Sequence, residues 1–223
     1  MRAWMEMAGL SMVDSPSRAA YPSKACYLNP DRCLHRQVDA MNVTRAANES
    51  SLPSVVLAEL EKGGLTPARL SEAQVFIPAF FARMGSSDID LHTTPQWAAL
   101  VGGLLEFMQE RQPGQARMRV LHCADTHAGR HLLQIVTDDM PFLIDTVSMI
   151  ASAKLQIHAV VHPVLKATRD AAGKLLALGD DAGKAESIMH FEIDRMADAA
   201  EQNQLLAQIE AALDDVRAAV NDW

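Results

Sequence analysis

HLLQIVTDDMPFLIDTVSMIASAKLQIHAVVHPVLKATR, from His131 to Arg169, is the stretch whose reading decides the fold. His131 to Thr137 is a short, mostly apolar run that includes Ile135 and Val136, as a buried strand requires. Asp138 and Asp139 each offer a side-chain oxygen to cap a helix, and Pro141 stands where the first helical turn needs no N–H. Beyond them Leu143, Ile144, Val147, Ile150 and Ala151 recur at three- and four-residue steps, which makes one apolar stripe. From Leu155 the period drops to two. Leu155, Ile157, Ala159, Val161, Pro163 and Leu165 point one way, while Gln156, His158, Val160, His162 and Lys166 point the other. A strand, a helix and a second, long strand are therefore expected, a β–α–β unit.

On the N-terminal side the chain reads as helical. Ser54 to Lys62 is a short helix ended by Gly63 and Gly64. Thr66-Pro67 restarts the chain as cap and first helical residue, and Leu70, Ala73, Ile77, Phe80 and Phe81 supply the apolar side. Pro78 is expected to kink that helix or to begin a new segment. Thr94-Pro95 repeats the start signal before Trp97, Leu100, Val101, Leu104, Leu105 and Met108, which follow the helical period without a miss. Gly102 and Gly103 cost that helix about 1 kcal/mol each relative to Ala and suit a close helix contact. Residues 1–51 hold Pro16, Pro22 and Pro30 and no sustained period, so a disordered arm is expected there, with Met41 as an alternative start.

Arg117 to Cys123 reads as a strand and ADTHAGR as the loop leading back to His131. On the C-terminal side Leu175 to Leu178 is a short strand. In Ser187 to Arg195, Met189, Phe191 and Ile193 alternate with His190, Glu192 and Asp194 as in a half-buried strand. Ala199 to Val220 closes as an amphipathic helix through Leu205, Ile209, Leu213, Val216 and Val220.

This order, with the turn TDDMPFL, resembles the ACT domain, a small β–α–β–β–α–β regulatory module of amino-acid metabolism. DDMPFLIDTVSM, HAVVHPVL, RDAAGKL, ESIMHFEIDR and DDVRAAVNDW together resemble the N-terminal region of the large bacterial NAD-specific glutamate dehydrogenases, over roughly Leu52 to Trp223. The resemblance implies an α+β fold: a ferredoxin-like, ACT-type antiparallel sheet with helices on one face, preceded by a helical section. Its expected parts are residues 1–51 as the arm, 52–114 as the helical section and 115–223 as the ACT-like domain. An ACT module ends on a fourth strand after its second helix. Here Arg117 to Cys123 is expected to take that place beside the Leu132 strand, since a bare edge invites aggregation; a fourth strand from continuing polypeptide is the alternative. The resemblance further implies a parent enzyme that deaminates glutamate oxidatively to 2-oxoglutarate with NAD, its catalytic domain lying far downstream. The partners implied are the rest of that dehydrogenase or other subunits.

The composition excludes several other classes. A net charge of −8 argues against nucleic-acid or anionic-membrane binding, which draw on excess Lys and Arg. At 49% hydrophobic the chain can build a core, yet no apolar run is long enough to span a membrane. Three cysteines, Cys26, Cys33 and Cys123, form no paired framework, and the N-terminus lacks a secretory signal. Reduced thiols in the cytoplasm are expected.

The candidate site residues fall in three groups. Asp138, Asp139, Met140, Pro141 and Phe142 form the turn that in ACT modules often contacts an amino-acid effector. A glycine commonly follows the proline there, and Phe142 in its place is expected to fill the effector's space. His158, Val160, His162, Ile188 and His190 are expected on the sheet's other face, semi-polar and suited to a domain or subunit contact. His158 and His162 lie about 13 Å apart along a strand, too far for one zinc ion. His122, Cys123, His127 and His131 straddle a loop that could close on a metal more easily, which leaves a small metalloprotein as one rival reading; a free-standing amino-acid sensor is the other. No G-x-G-x-x-G is present for a dinucleotide, and no G-x-S-x-G or H-E-x-x-H for hydrolysis. No cofactor, metal or catalytic residue is therefore expected in this chain, with Asp138, Asp139 and Asp145 as helix-start acids rather than a proton-sharing pair.

Overall fold

Turn chemistry sets the helical section. In the computed structural model, which describes residues 51–122 and 129–222, helix α1 (residues 51–62) stops at Gly63-Gly64, and Gly64 takes a φ of +79°. Helix α2 (Pro67–Phe81) starts where the Thr66 hydroxyl accepts the Arg69 N–H at 3.4 Å. It runs through Pro78 to Phe81, so the helix continues past the proline and forgoes the hydrogen bond that residue would have donated to the carbonyl four residues before it. After the single turn α3 (Ser86–Ile89), helix α4 (Thr94–Phe107) is capped one residue earlier than Thr94-Pro95 suggests. The Gln96 amide oxygen accepts the Thr93 N–H at 2.8 Å. A Cβ at Gly102 would lie 2.9 Å from a Leu60 methyl, so this glycine does permit α4 to press on α1.

Six strands follow: β1 (Arg117–His122), β2 (His131–Asp138), β3 (Ile157–Val161), β4 (Val164–Arg169), β5 (Leu175–Leu178) and β6 (Lys184–Ile193). Every pairing is antiparallel, in the order β1-β2-β6-β4-β5, with β3 also on β6. Between the strands and at the end lie α5 (Leu143–Ser152) and α6 (Ala199–Asn221). Arg117–His122 pairs with β2 as a hairpin partner, in the position expected for a fourth ACT strand.

The single strand expected from Leu155 to Leu165 is two strands. It breaks at His162-Pro163, where proline has no N–H to give a ladder. Both halves still lie along β6, β3 against His190–Ile193 and β4 against Lys184–Ser187, and the Pro163 carbonyl accepts the Ile188 N–H at 3.0 Å. The expected two-residue alternation also fails inside β3. The register shifts between Ile157 and Ala159, and an extra residue there turns the side chains beyond it to the other face. Ile157 consequently packs with α5 and α6, whereas Val161 packs with the helical section.

Helices α5 and α6 cover one face, burying Leu133, Ile135, Met189, Phe191 and Ile193 against Leu143, Val147, Leu205, Ile209 and Leu213. The other face, carrying Val136, Val161 and Ile188, is not open. Helices α1, α2 and α4 close it with Leu60, Phe76, Phe80, Trp97 and Leu104. The Phe80 ring lies 5.5 Å from Phe76, 5.2 Å from Phe81 and 6.1 Å from Trp97, centre to centre. Residues Leu52–Trp223 thus form one unit in which helical section and sheet share a core. Among the described residues no helix is long and apolar enough to cross a membrane.

Candidate functional site

The turn from β2 into α5 is built differently from the cap that Asp138, Asp139 and Pro141 suggest. Strand β2 continues to Asp138, helix α5 begins only at Leu143, and the cap residue is Phe142, with no side-chain hydrogen bond to the helix. Both acids are committed elsewhere. The Asp138 carboxylate takes a hydrogen bond from Arg111 at 2.6 Å. The Asp139 backbone N–H donates to Ala185 at 3.0 Å, and its carboxylate accepts the Ser187 hydroxyl at 2.5 Å. Phe142 adopts a φ of 68°, the left-handed region, which is costly for a bulky side chain. Its ring does not fill the turn as expected; it projects outward, 67% exposed.

Beneath this turn sits a buried ion cluster. Glu186, in β6, accepts from Arg111 at 2.7 Å and from both Arg169 Nε and Nη2 at 2.7 and 2.8 Å. Arg169 also reaches the carbonyls of Met108 and Gly173, and Arg111 reaches that of Gln115. Arg111 follows α4, so the cluster fastens the end of the helical section to the sheet directly under the turn. Burial alone would weaken the Arg111 charge, but Glu186 and Asp138 outweigh it and hold its proton more tightly than usual. A Cβ at Gly173 would stand 2.2 Å from the Arg111 carbonyl, so the β4–β5 turn can approach only with glycine there.

Ser187 also links the turn to β3. His162 Nε2 lies 3.0 Å from the Ser187 oxygen, which gives the chain His162–Ser187–Asp139. Burial lowers the proton affinity of His162, with Asp139 opposing and Arg83 reinforcing that shift. A neutral imidazole donating to Ser187, whose own proton goes to Asp139, is a structural relay; the serine is buried and its hydroxyl is spoken for.

The five residues expected on the second face are spread over three environments. Ile188 and His190 are buried under the helical section, with the His190 ring 5.8 Å from Phe80. Burial pushes His190 down to about 4, and it takes part in a Gln134 hydrogen bond at 3.3 Å. His158 meets Asp194 at 2.8 Å, and His162 is half-buried as above. Val160 is exposed. The His122 and His131 rings lie 5.1 Å apart, while Cys123 and His127 fall outside the described residues. Among the described residues no group of three His, Cys, Asp or Glu is placed to hold a metal.

These geometries can be set beside known proteins. The sequence profile of the family described as "Glutamate dehydrogenase, ACT1 domain" matches residues 76–209, more than half of the chain. The chain belongs to this family. It is 26% identical over 180 residues to an NAD-specific glutamate dehydrogenase of Halomonas elongata, a match covering 75% of this chain and 11% of that protein. To an NAD-specific glutamate dehydrogenase of Pseudomonas aeruginosa it is 35% identical over 98 residues, 41% of this chain and 6% of that protein. The chain therefore spans only about a tenth of the length of the curated relatives it matches. No solved structure matches it.

Within the ACT1 match lie the turn, the ion cluster and a second buried pair that sequence reasoning missed. His92, just before α4, meets Glu192 of β6 at 2.5 Å, and Arg130 reaches the other Glu192 oxygen at 3.2 Å. Burial would raise the Glu192 carboxyl, but the His92 hydrogen bond and charge outweigh it and hold the carboxyl below its usual range. The available signal was the pair Glu186 and Glu192, acids in a strand that runs between apolar residues. Such acids need partners once both faces of the sheet are covered. The identity of the partners, 75 and 100 residues away, carries no local signature.

Proposed function

We propose that this chain is a non-catalytic regulatory or assembly segment of an NAD-specific glutamate dehydrogenase, acting in the cytoplasm in contact with the remainder of that enzyme. The parent enzyme would supply both the NAD site and the oxidative deamination of glutamate to 2-oxoglutarate. The observation that carries this reading is the ACT1 family match, joined to a turn whose acids are all engaged. Asp138 is held by Arg111, Asp139 by Ser187, and Glu186 by two arginines, so each of these carboxylates fastens one element to another. A scaffold uses charge in this way, whereas proton transfer needs a group within reach of a reacting atom.

Two measurements on the purified chain test the proposal. Glutamate-dependent reduction of NAD is expected to be absent, and turnover by the chain alone would overturn the non-catalytic reading. Calorimetry with glutamate, aspartate and other amino acids is expected to give flat titrations, because side chains of this chain already occupy the polar groups of the turn. A saturable heat that disappears in Asp138→Ala would move the reading to an amino-acid sensor.

A further inference from the structure

We propose that the outward edge of β1 is a docking site for an extended segment of another polypeptide in which acidic and apolar residues alternate. Among the described residues β1 pairs with β2 alone, so its other side offers a row of backbone N–H and C=O groups. A strand added there gains main-chain hydrogen bonds, and the side chains of β1 decide which sequence fits.

Those side chains are sorted by face. Arg117, Arg119 and Leu121 stand opposite Val136, Gln134 and Leu132 of β2, on the face toward the helical section. Both guanidinium groups lie over the Phe107 ring of α4, 4.9 and 4.2 Å from its centre. Met118 and Val120 alternate with them and pack half-buried against the core under α5 and α6. The strand therefore presents two neighbouring cations on one face and an apolar pair on the other.

Among the described residues these two cations form no ion pair. Arg111 and Arg169 end on the Glu186 carboxylate. Arg119 instead gives Nε to the Gln134 amide oxygen at 2.7 Å and Nη2 to the Gly103 carbonyl at 2.8 Å, and Arg117 donates to the Glu110 carbonyl. All three acceptors are neutral. Burial, and after it the charge of Arg117, lower the Arg119 proton affinity to about 10, with Glu106 opposing. Charged side chains on an edge strand commonly repel a further strand. These two are drawn back onto Phe107 and α4, and what they repel is a cationic neighbour. An added strand runs about 5 Å from β1, its side chains alternating between the same two faces. Acids two residues apart then come beside Arg117 and Arg119, and the residues flanking them meet Met118 and Val120. Opposite charges facing one another across strands favour such pairing, and like charges oppose it.

Nuclear magnetic resonance titration of the full 223-residue chain tests this, with blocked peptides in which valine alternates with glutamate or with lysine. The glutamate peptide is expected to bind saturably, to shift the amide signals of Arg117–His122, and to bind at least about tenfold more tightly than the lysine peptide. Added salt should weaken it. Arg117→Gln should weaken the glutamate peptide about threefold with little change in the melting midpoint; if that variant fails to fold, the contrast between the two peptides on the parent chain decides. Equal binding of the two peptides, no saturable binding at millimolar concentration, or shifts confined to residues away from β1 overturns the proposal. Reversible dimers in the ultracentrifuge that protect the same amides from exchange would overturn it too, because a second copy would then hold the edge.

Discussion

Under α1, α2 and α4 the sheet presents Gln134, Glu186, His190 and Glu192 between Val136 and Ile188; under α5 and α6 it presents Leu133, Ile135, Met189, Phe191 and Ile193 in unbroken succession. The two faces are equally buried, yet they are held by different means. The first combines an aromatic cluster with two carboxylates, each paired with cations, and a buried charge finds its partner in only one register. The second is held mainly by packing, which tolerates sliding more readily, with His131 as a polar contact that accepts the Met196 N–H at 3.1 Å and meets Gln202 of α6 at 3.2 Å. The difference separates a face that fixes position from a face that fixes only proximity.

The largest effect expected from breaking this contrast is at Glu186. Glu186→Ala leaves Arg111 and Arg169 buried without their carboxylate, and removing one member of a buried ion group costs about 3–5 kcal/mol. Both arginine side chains are buried, so water cannot compensate well. Denaturant unfolding should show a loss of that size. A loss below about 1 kcal/mol, the range of exposed pairs, would mean that the cluster does not fasten the helical section. The matching change on the other face is Ile209→Ala, in α6. It should cost about 2–5 kcal/mol through the cavity it leaves, and that loss should be the same at low and high salt.

Much of this contrast was legible in the sequence, and the illegible part has a physical explanation. The hairpin of Arg117–His122 with β2 followed from the need to cover an edge, and the apolar face of β6 from the alternation of Met189, Phe191 and Ile193. His190 and Ile188 were read as an outer face because alternation reports which side a residue occupies and says nothing of what lies on that side. The bulge after Ile157 and the break at Pro163 were lost in a run that alternates across both. Within the turn, Asp138 and Asp139 match a cap by residue type, but long-range partners on Arg111 and Ser187 compete with a local cap and win. Nothing local marks His92 as the partner of Glu192.

A pH series sharpens the same comparison, because the first face buries His190 and Glu192, whereas the second buries His131, whose proton affinity burial also lowers. His190, held near 4 by burial, is neutral in the fold above that value, while the unfolded chain protonates it near 6.5. A lowered proton affinity in the fold means that its contribution is intact above about 6.5 and declines as pH falls toward 4, by about 3 kcal/mol over the window. Glu192, also lowered, adds its loss in the same direction at the acid end. The groups facing His190 are Gln134, Glu192, His92 and Arg119, and of these Glu192 alone favours its charge. In His190→Asn the decline between pH 6.5 and 4 should be shallower than in the parent. An unchanged slope would place the acid sensitivity elsewhere.

The smallest expected effect lies at Asp138, and it separates the turn from the cluster beneath it. Asp138 shares Arg111 with Glu186, but its side chain is 38% exposed while that of Glu186 is 2% exposed. Water can take over the Arg111 hydrogen bond on the Asp138 side, and Glu186 continues to neutralise the guanidinium. Asp138→Asn should therefore cost no more than about 1 kcal/mol, as exposed pairs do, and less at high salt than at low. If it costs as much as Glu186→Ala, the turn and the cluster are one cooperative unit, and any ligand that reached Asp138 would be felt in the helical section. If it costs little, the turn can move while the two layers stay fastened, and the sheet under α1, α2 and α4 is a fixed platform.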